Sequence, residues 1–149
     1  MGDTPAPETI HAGCVAIGGR GVLIAGRSGS GKSDLALRLV DRGAVLVSDD
    51  YTLLTRAGGR LVADAPATIA GRMEVRGVGV VELEAARGVP ICLLVDLDRL
   101  PERLPDEGAR SMIMGLELPV VGLAALEASA PIKVEYALRL FGLSLGSAE

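Results

Sequence analysis

Eight residues carry the strongest chemical signal in this chain: Gly26-Arg27-Ser28-Gly29-Ser30-Gly31-Lys32-Ser33 fits the pattern Gly-x-x-x-x-Gly-Lys-Ser. The apolar run Val22-Leu23-Ile24-Ala25 in front of it reads as a buried strand. Asp34-Leu35-Ala36-Leu37-Arg38-Leu39-Val40 behind it reads as an amphipathic helix. Strand, loop and helix in that order are the setting a phosphate-binding P-loop requires. The glycines let the backbone turn tightly and aim successive N–H groups inward, where the positive end of the helix dipole also favours an anion. Lys32 has the reach for β and γ phosphates, and the Ser33 hydroxyl suits a Mg²⁺ that touches them. With both flanks in place, this reading outweighs a chance glycine-rich turn. The chain is expected to bind a nucleoside triphosphate or a similar phosphate donor.

Three further groups could work with that loop. Asp49-Asp50 closes the apolar run 44–48, the strand expected after the helix. Ligands of α/β sheets gather at the carboxyl ends of strands, so one carboxylate could hold Mg²⁺ and the other accept a proton. Such a pair is by itself a common surface turn; the loop upstream tips it toward chemistry. His11, the single histidine, precedes the first strand and either contacts a phosphate, polarises a carboxylate or is a surface residue. Glu74, between Arg72 and Arg76, is either part of a solvated charged turn or a metal carboxylate backed by cations.

The elements that must position these groups follow from pattern. Residues 12–17 and 21–25 read as strands joined by a turn at Gly18-Gly19-Arg20. The helix after the loop ends at Arg42-Gly43. Residues 51–55 and 60–63 flank Ala57-Gly58-Gly59 as a second hairpin, and residues 76–83 and 89–96 read as single strands. Residues 98–110, charged and broken by prolines, read as a short helix and a loop, and 117–122 as a last strand. Ser129-Ala130-Pro131 opens a terminal helix through about Phe141, with Ile132, Tyr136 and Leu140 on one face and apolar residues on more than one side. One such face could serve a partner. Hairpins mixed with strand–helix units predict α/β with a mixed sheet.

Composition bounds the rest. At 149 residues the chain is expected to be one domain spanning 1–149, with residues 1–9, polar and proline-bearing, flexible. Apolar residues make up 49% and aromatics only 2%, so the core must be aliphatic and base-stacking platforms are not evident. A formal charge of −4 with no Lys/Arg run argues against a nucleic-acid partner. No apolar stretch is long enough for a bilayer, and the start lacks the layout of a signal peptide. Cys14 and Cys92, both in apolar segments, are expected to be buried fillers in a reducing, cytoplasmic setting.

Four segments together resemble the catalytic domain of the HPr kinase/phosphorylase family, which phosphorylates a serine of the phosphocarrier protein HPr. His11-Ala12-Gly13 stands at the family's spacing before the loop, and Gly26 to Ser33 with its following helix matches the family's P-loop. Leu46-Val47-Ser48-Asp49-Asp50 resembles Leu-Val-Ala-Asp-Asp. Met73-Glu74-Val75-Arg76-Gly77-Val78-Gly79-Val80-Val81 resembles Leu-Glu-Ile-Arg-Gly-Leu-Gly-Ile-Ile. The resemblance implies a P-loop domain like that of phosphoenolpyruvate carboxykinase and an ATP-dependent serine kinase. It implies ATP held by Gly26, Arg27, Ser28, Gly29, Ser30, Gly31, Lys32 and Ser33 with Arg76 nearby, and Mg²⁺ on Ser33 and Glu74. It makes Asp50 the proton acceptor and His11, Lys32 and Asp49 its active-site companions. A further active-site arginine is matched by Arg103 in Glu102-Arg103-Leu104, with Asp98-Arg99-Leu100 as the competing segment.

The implied partner is HPr, and the implied assembly a homo-hexamer. The chain resembles the short members that carry the catalytic domain alone. The family's Pro-Val-x-Pro-Gly-Arg loop, tied to dephosphorylation, falls near residues 124–129, where no Pro, Gly or Arg stands; kinase rather than phosphorylase activity is expected. Two alternatives remain: a P-loop kinase of small molecules, or a nucleotide-binding regulator without catalysis.

Overall fold

Val15, Val22 and Ile24 alternate along their strands with Cys14, Ala16 and Leu23, and both sets are buried. Strands covered on two faces read as continuous apolar runs, and here each face has its own core. The computed structural model describes residues 6–105 and 109–145. The elements are β1 (Glu8–Ile10), β2 (Ala12–Ile17), β3 (Arg20–Ala25), α1 (Lys32–Asp41), β4 (Val45–Ser48), β5 (Thr52–Ala57), β6 (Arg60–Asp64), β7 (Arg72–Val75), β8 (Gly79–Glu82), β9 (Val89–Asp96), β10 (Arg110–Ile113), β11 (Leu116–Gly122) and α2 (Ala130–Phe141).

Nine strands form one mixed sheet in the order β1-β5-β6-β9-β3-β2-β4, with β11 also on β9 and β10 on β11. β9 is parallel to β3 and to β11, whereas β2 is antiparallel to both β3 and β4. β3, β4, β9 and β11 therefore all run the same way and end on one side. β9 pairs through Val89 and Pro90 with β6 and through residues 94–96 with β11, which splays its two neighbours and curls the sheet. One face packs on α1, α2 and the β7–β8 hairpin through Leu35, Leu39, Met73, Val134 and Leu138. The other is filled by Leu54, Leu61, Ile91, Leu118 and Val120. Both cysteines are buried and unbridged, and burial pushes the Cys14 thiol far up from its ordinary range. No helix among the described residues is long and apolar enough to cross a membrane.

Three expectations change, and the faces of the terminal helix are resolved. In place of a single strand over 76–83, residues 76–78 turn and 79–82 pair back on 72–75 as a hairpin, because Val78 N–H donates to the Val75 carbonyl at 2.9 Å and Gly77 supplies φ 88° at the third turn position. No helix forms in the described part of 98–110; residues 106–108 lie outside the described residues. Residues 8 and 9 belong to a strand paired on β5, while residues 1–5 of the expected flexible start lie outside the described residues. On α2, Val134, Ala137 and Leu138 face the core; Ile132, Tyr136 and Leu140 face out, with the Arg139 guanidinium 4.9 Å from the Tyr136 ring.

The end of α2 is held by arginines from two hairpins. Arg20 donates through Nε and Nη2 to the Leu143 carbonyl at 3.2 and 2.8 Å, and through Nη2 to the Leu138 carbonyl at 3.2 Å. Arg60 donates to the Ser144 carbonyl at 2.8 Å, and Arg42 pairs with Glu135 through two contacts of 2.8 and 2.7 Å. That guanidinium holds the Glu135 carboxyl below the usual carboxylate range, mainly by hydrogen bonding. Charged hydrogen bonds of this kind are worth about 1.5–3 kcal/mol. Arg20→Ala is expected to lower unfolding stability by about 2 kcal/mol, read as a shifted urea midpoint with an unchanged slope.

Candidate active site

The common direction of β3, β4 and β9 brings Ala25, Ser48 and Asp96 to one end of the sheet, and the segments that follow them meet there. The glycine-rich loop joins β3 to α1. Gly31 caps α1 in the left-handed region at φ 97°, and a Cβ there would lie 3.0 Å from the Ala125 Cβ. Only glycine meets both demands without strain. Lys32 is 7% exposed, and its Nζ donates to the carbonyls of Gly26 at 2.7 Å and Arg27 at 3.0 Å. The ammonium is thus folded into the loop's own curve. Among the described residues, the buried Ser30 Oγ has no hydrogen-bond partner.

Asp49 is the hinge of the site. It is 9% exposed; its Oδ1 accepts from Ser33 Oγ at 2.9 Å and its Oδ2 from the Glu74 N–H at 3.1 Å. One carboxylate therefore ties the start of α1 to strand β7. Asp50, next to it, has φ 68°, and the Tyr51 N–H donates across it to the Asp49 carbonyl at 2.7 Å. That is a γ-turn of positive φ, a strained form that persists where its surroundings over-determine it. Its carboxylate lies 3.0 Å from His11 Nε2, and the His11 ring stacks on Tyr51.

The structure thus draws His11, Lys32, Ser33, Asp49, Asp50 and the Glu74 backbone together from four separate segments. Gly26, Arg27, Ser28, Gly29, Ser30 and Gly31 form the loop between them. The Glu74 side chain is exposed and projects from the outer face of the hairpin, opposite Val80. Arg76 and Arg103 are exposed, and neither bonds the loop among the described residues. The competing segment does reach it: Asp98 Oδ2 accepts from the Arg27 N–H at 3.0 Å. That contact was missed from sequence, although Asp98 follows directly on a strand parallel to β3. A groove of about 530 Å³ lined by Ala16, Gly19, Gly43, Val45 and Pro90 lies at the opposite end of the sheet, far from these groups.

The donor set is all oxygen: a hydroxyl, buried and exposed carboxylates. It suits a hard cation that keeps water and phosphate ligands, as Mg²⁺ does. The amides at the head of α1, Lys32 and the Ser30 hydroxyl, unpartnered among the described residues, suit phosphate oxygens.

Fold and site define a mixed α/β domain that gathers a glycine-rich strand–loop–helix, an acidic pair and a hairpin at one sheet end. Comparison with known proteins then names the family: the model described as HPr Serine kinase C-terminal domain matches residues 4–129, and the chain belongs to that family. A relative from Chlorobium phaeobacteroides (strain BS1), named HPr kinase/phosphorylase, is 37% identical over 129 residues, covering 78% of this chain and 38% of that protein. Another of that name, from Clostridium botulinum (strain Eklund 17B / Type B), is 39% identical over 90 residues, 60% of this chain and 30% of that protein. The chain thus spans about a third of the length of these curated relatives. Among solved structures, the Hpr(Ser) kinase/phosphatase from Coxiella burnetii matches with a TM-score of 0.75 at 27% identity, covering 89% of this chain and 94% of that one.

If Asp49 holds the hairpin to the loop, Asp49→Ala should release it. Amide exchange at Glu74 is expected to speed up about tenfold, the loss of one charged hydrogen bond, while amides in the middle of β3 keep wild-type protection.

Proposed function

We propose that this domain is an ATP-dependent kinase that phosphorylates a serine of HPr. The observation that carries the reading is the meeting of the glycine-rich loop with Asp50 at one sheet end, supported by family membership. The amides of Gly29 to Ser33 receive the phosphate tail, and Lys32 exchanges its two loop carbonyls for phosphate oxygens. Ser33, and Glu74 turned in from the outer face of its hairpin, would hold Mg²⁺, with Asp49 fixing the Ser33 hydroxyl and the Glu74 backbone; the metal would supply charge neutralisation on the phosphates. Asp50 sits at the apex of its turn, open to solvent, where it takes the proton of the incoming serine hydroxyl as that oxygen bonds the γ phosphorus. The bond to the β-phosphate oxygen breaks and ADP leaves. His11, hydrogen-bonded to Asp50, orients that carboxylate.

Dephosphorylation has less support. The segment 124–129 turns beneath α1, where the Arg38 guanidinium donates to the carbonyls of Ala125 and Glu127, and it presents an exposed Leu126 rather than a cation. The outward row Ile132, Tyr136 and Leu140 supports assembly with further copies, a homo-hexamer by family resemblance. The buried, unbridged cysteines accord with a cytoplasmic protein.

The test is transfer of the γ-phosphate to purified HPr, with mass spectrometry locating a phosphoserine. Asp50→Asn is expected to lower kcat by a factor on the order of 10²–10⁴, as for loss of a general base, with ATP binding kept. Lys32→Ala is expected to weaken ATP binding itself. ATP binding without transfer to HPr would overturn the reading; transfer to a nucleoside monophosphate or a small alcohol instead would replace it with a small-molecule kinase.

A further inference from the structure

His11 and Asp50 come from different elements, and one side chain touches the first while its backbone shapes the second. β1 pairs antiparallel with β5 so that Ile10 faces Thr52; one step further along that register, His11 faces Tyr51. The two rings stack with centroids 4.9 Å apart and planes 29° apart. Tyr51 also donates the N–H that closes the γ-turn over Asp50, and its carbonyl accepts from the buried Ser48 hydroxyl. The next residue locks the arrangement from behind: Thr52, fully buried, donates through Oγ1 to the Ala12 carbonyl at 2.7 Å. Tyr51 is nonetheless 46% exposed, so its ring contributes little to the core. An exposed aromatic held at both peptide ends and lying flat on an imidazole has a positional rather than a packing role.

We propose that Tyr51 is a positioning residue of the phosphoryl-transfer site, setting the plane of the His11 ring and, through it, the direction of the Asp50 carboxylate. The inference rests on the kinase reading above. Its physical basis is that His11 is on an exposed junction between β1 and β2, where an imidazole has free rotation unless a flat partner limits it. With the ring held, Nε2 meets Asp50 Oδ1 at 3.0 Å. Without it, the carboxylate keeps its strained backbone but loses its lateral support, and small misplacements of a reacting group cost rate steeply.

His11 is the sole histidine, so in tag-free protein its Cε1–H gives one NMR resonance, shifted upfield by the Tyr51 ring current. Wild type, Tyr51→Leu and Tyr51→Phe are compared in kcat for transfer to HPr, KM and calorimetric affinity for ATP with Mg²⁺, and that resonance. For Tyr51→Leu the expected result is about a tenfold lower kcat, ATP KM and affinity within about twofold of wild type, and a downfield move of the resonance. Tyr51→Phe, which keeps the stack, is expected to restore both. Unchanged kcat with a moved resonance, or lowered kcat with an unmoved one, overturns the proposal, as does loss of ATP affinity in step with kcat. Should wild type transfer nothing to HPr, the kinase reading fails on its own. The resonance then decides alone: unmoved in Tyr51→Leu, it overturns the positioning role.

Discussion

The site depends on where one carboxylate ends up. Asp49 is nearly buried, and a buried anion is costly unless each oxygen finds a donor. Its two donors, the Ser33 hydroxyl and the Glu74 amide, lie on elements separated by most of the first half of the chain. Satisfying Asp49 therefore forces α1 and β7 to meet the end of β4. The interaction is both an electrostatic requirement and a geometric lock. It adds to the packing of Met73 in holding the hairpin, whose Val78 and Val80 are exposed, against the end of β4.

Strand direction supplies the second constraint. Because β3, β4 and β9 point the same way, the loop, the acidic pair and Asp98 leave the sheet on one side. β2, running against them, begins on that side and delivers His11. Three parallel ends and one antiparallel start concentrate charge at the head of α1, where the first amides have no partner within the helix. The opposite end of the sheet carries the glycine turns at Gly18, Gly19 and Gly43, and its arginines serve the end of α2 and its partner Glu135.

Local pattern made part of this visible. The loop and its helix are contiguous, so their spacing alone revealed a strand–loop–helix with the glycine pattern of a phosphate-binding element, and Asp49-Asp50 was legible because a short apolar run delivers it. The hairpin of β7 and β8 was not: valines alternating with glycines mimic one strand, and only the positive φ of Gly77 and Gly79 shows the reversal. Asp98 was passed over because a cap on a distant amide leaves no spacing signature. On α2, apolar residues ring most of the helix, so periodicity could not say whether Val134 or Ile132 would be buried; β9 and α1 decided that by offering one surface.

By itself the sequence determined the chemistry available: a glycine-rich loop with a lysine and serines, two adjacent carboxylates, one histidine and an aliphatic core. Each of these is carried by residues close together in the chain, where local sterics and hydrogen bonding suffice. Tertiary structure alone decided which carboxylate is buried as a strut and which is left open at a strained turn. It alone set His11 against Asp50 and Tyr51. Those outcomes depend on strand register and direction, which arise from burying both faces of the sheet at once, a requirement no single segment contains.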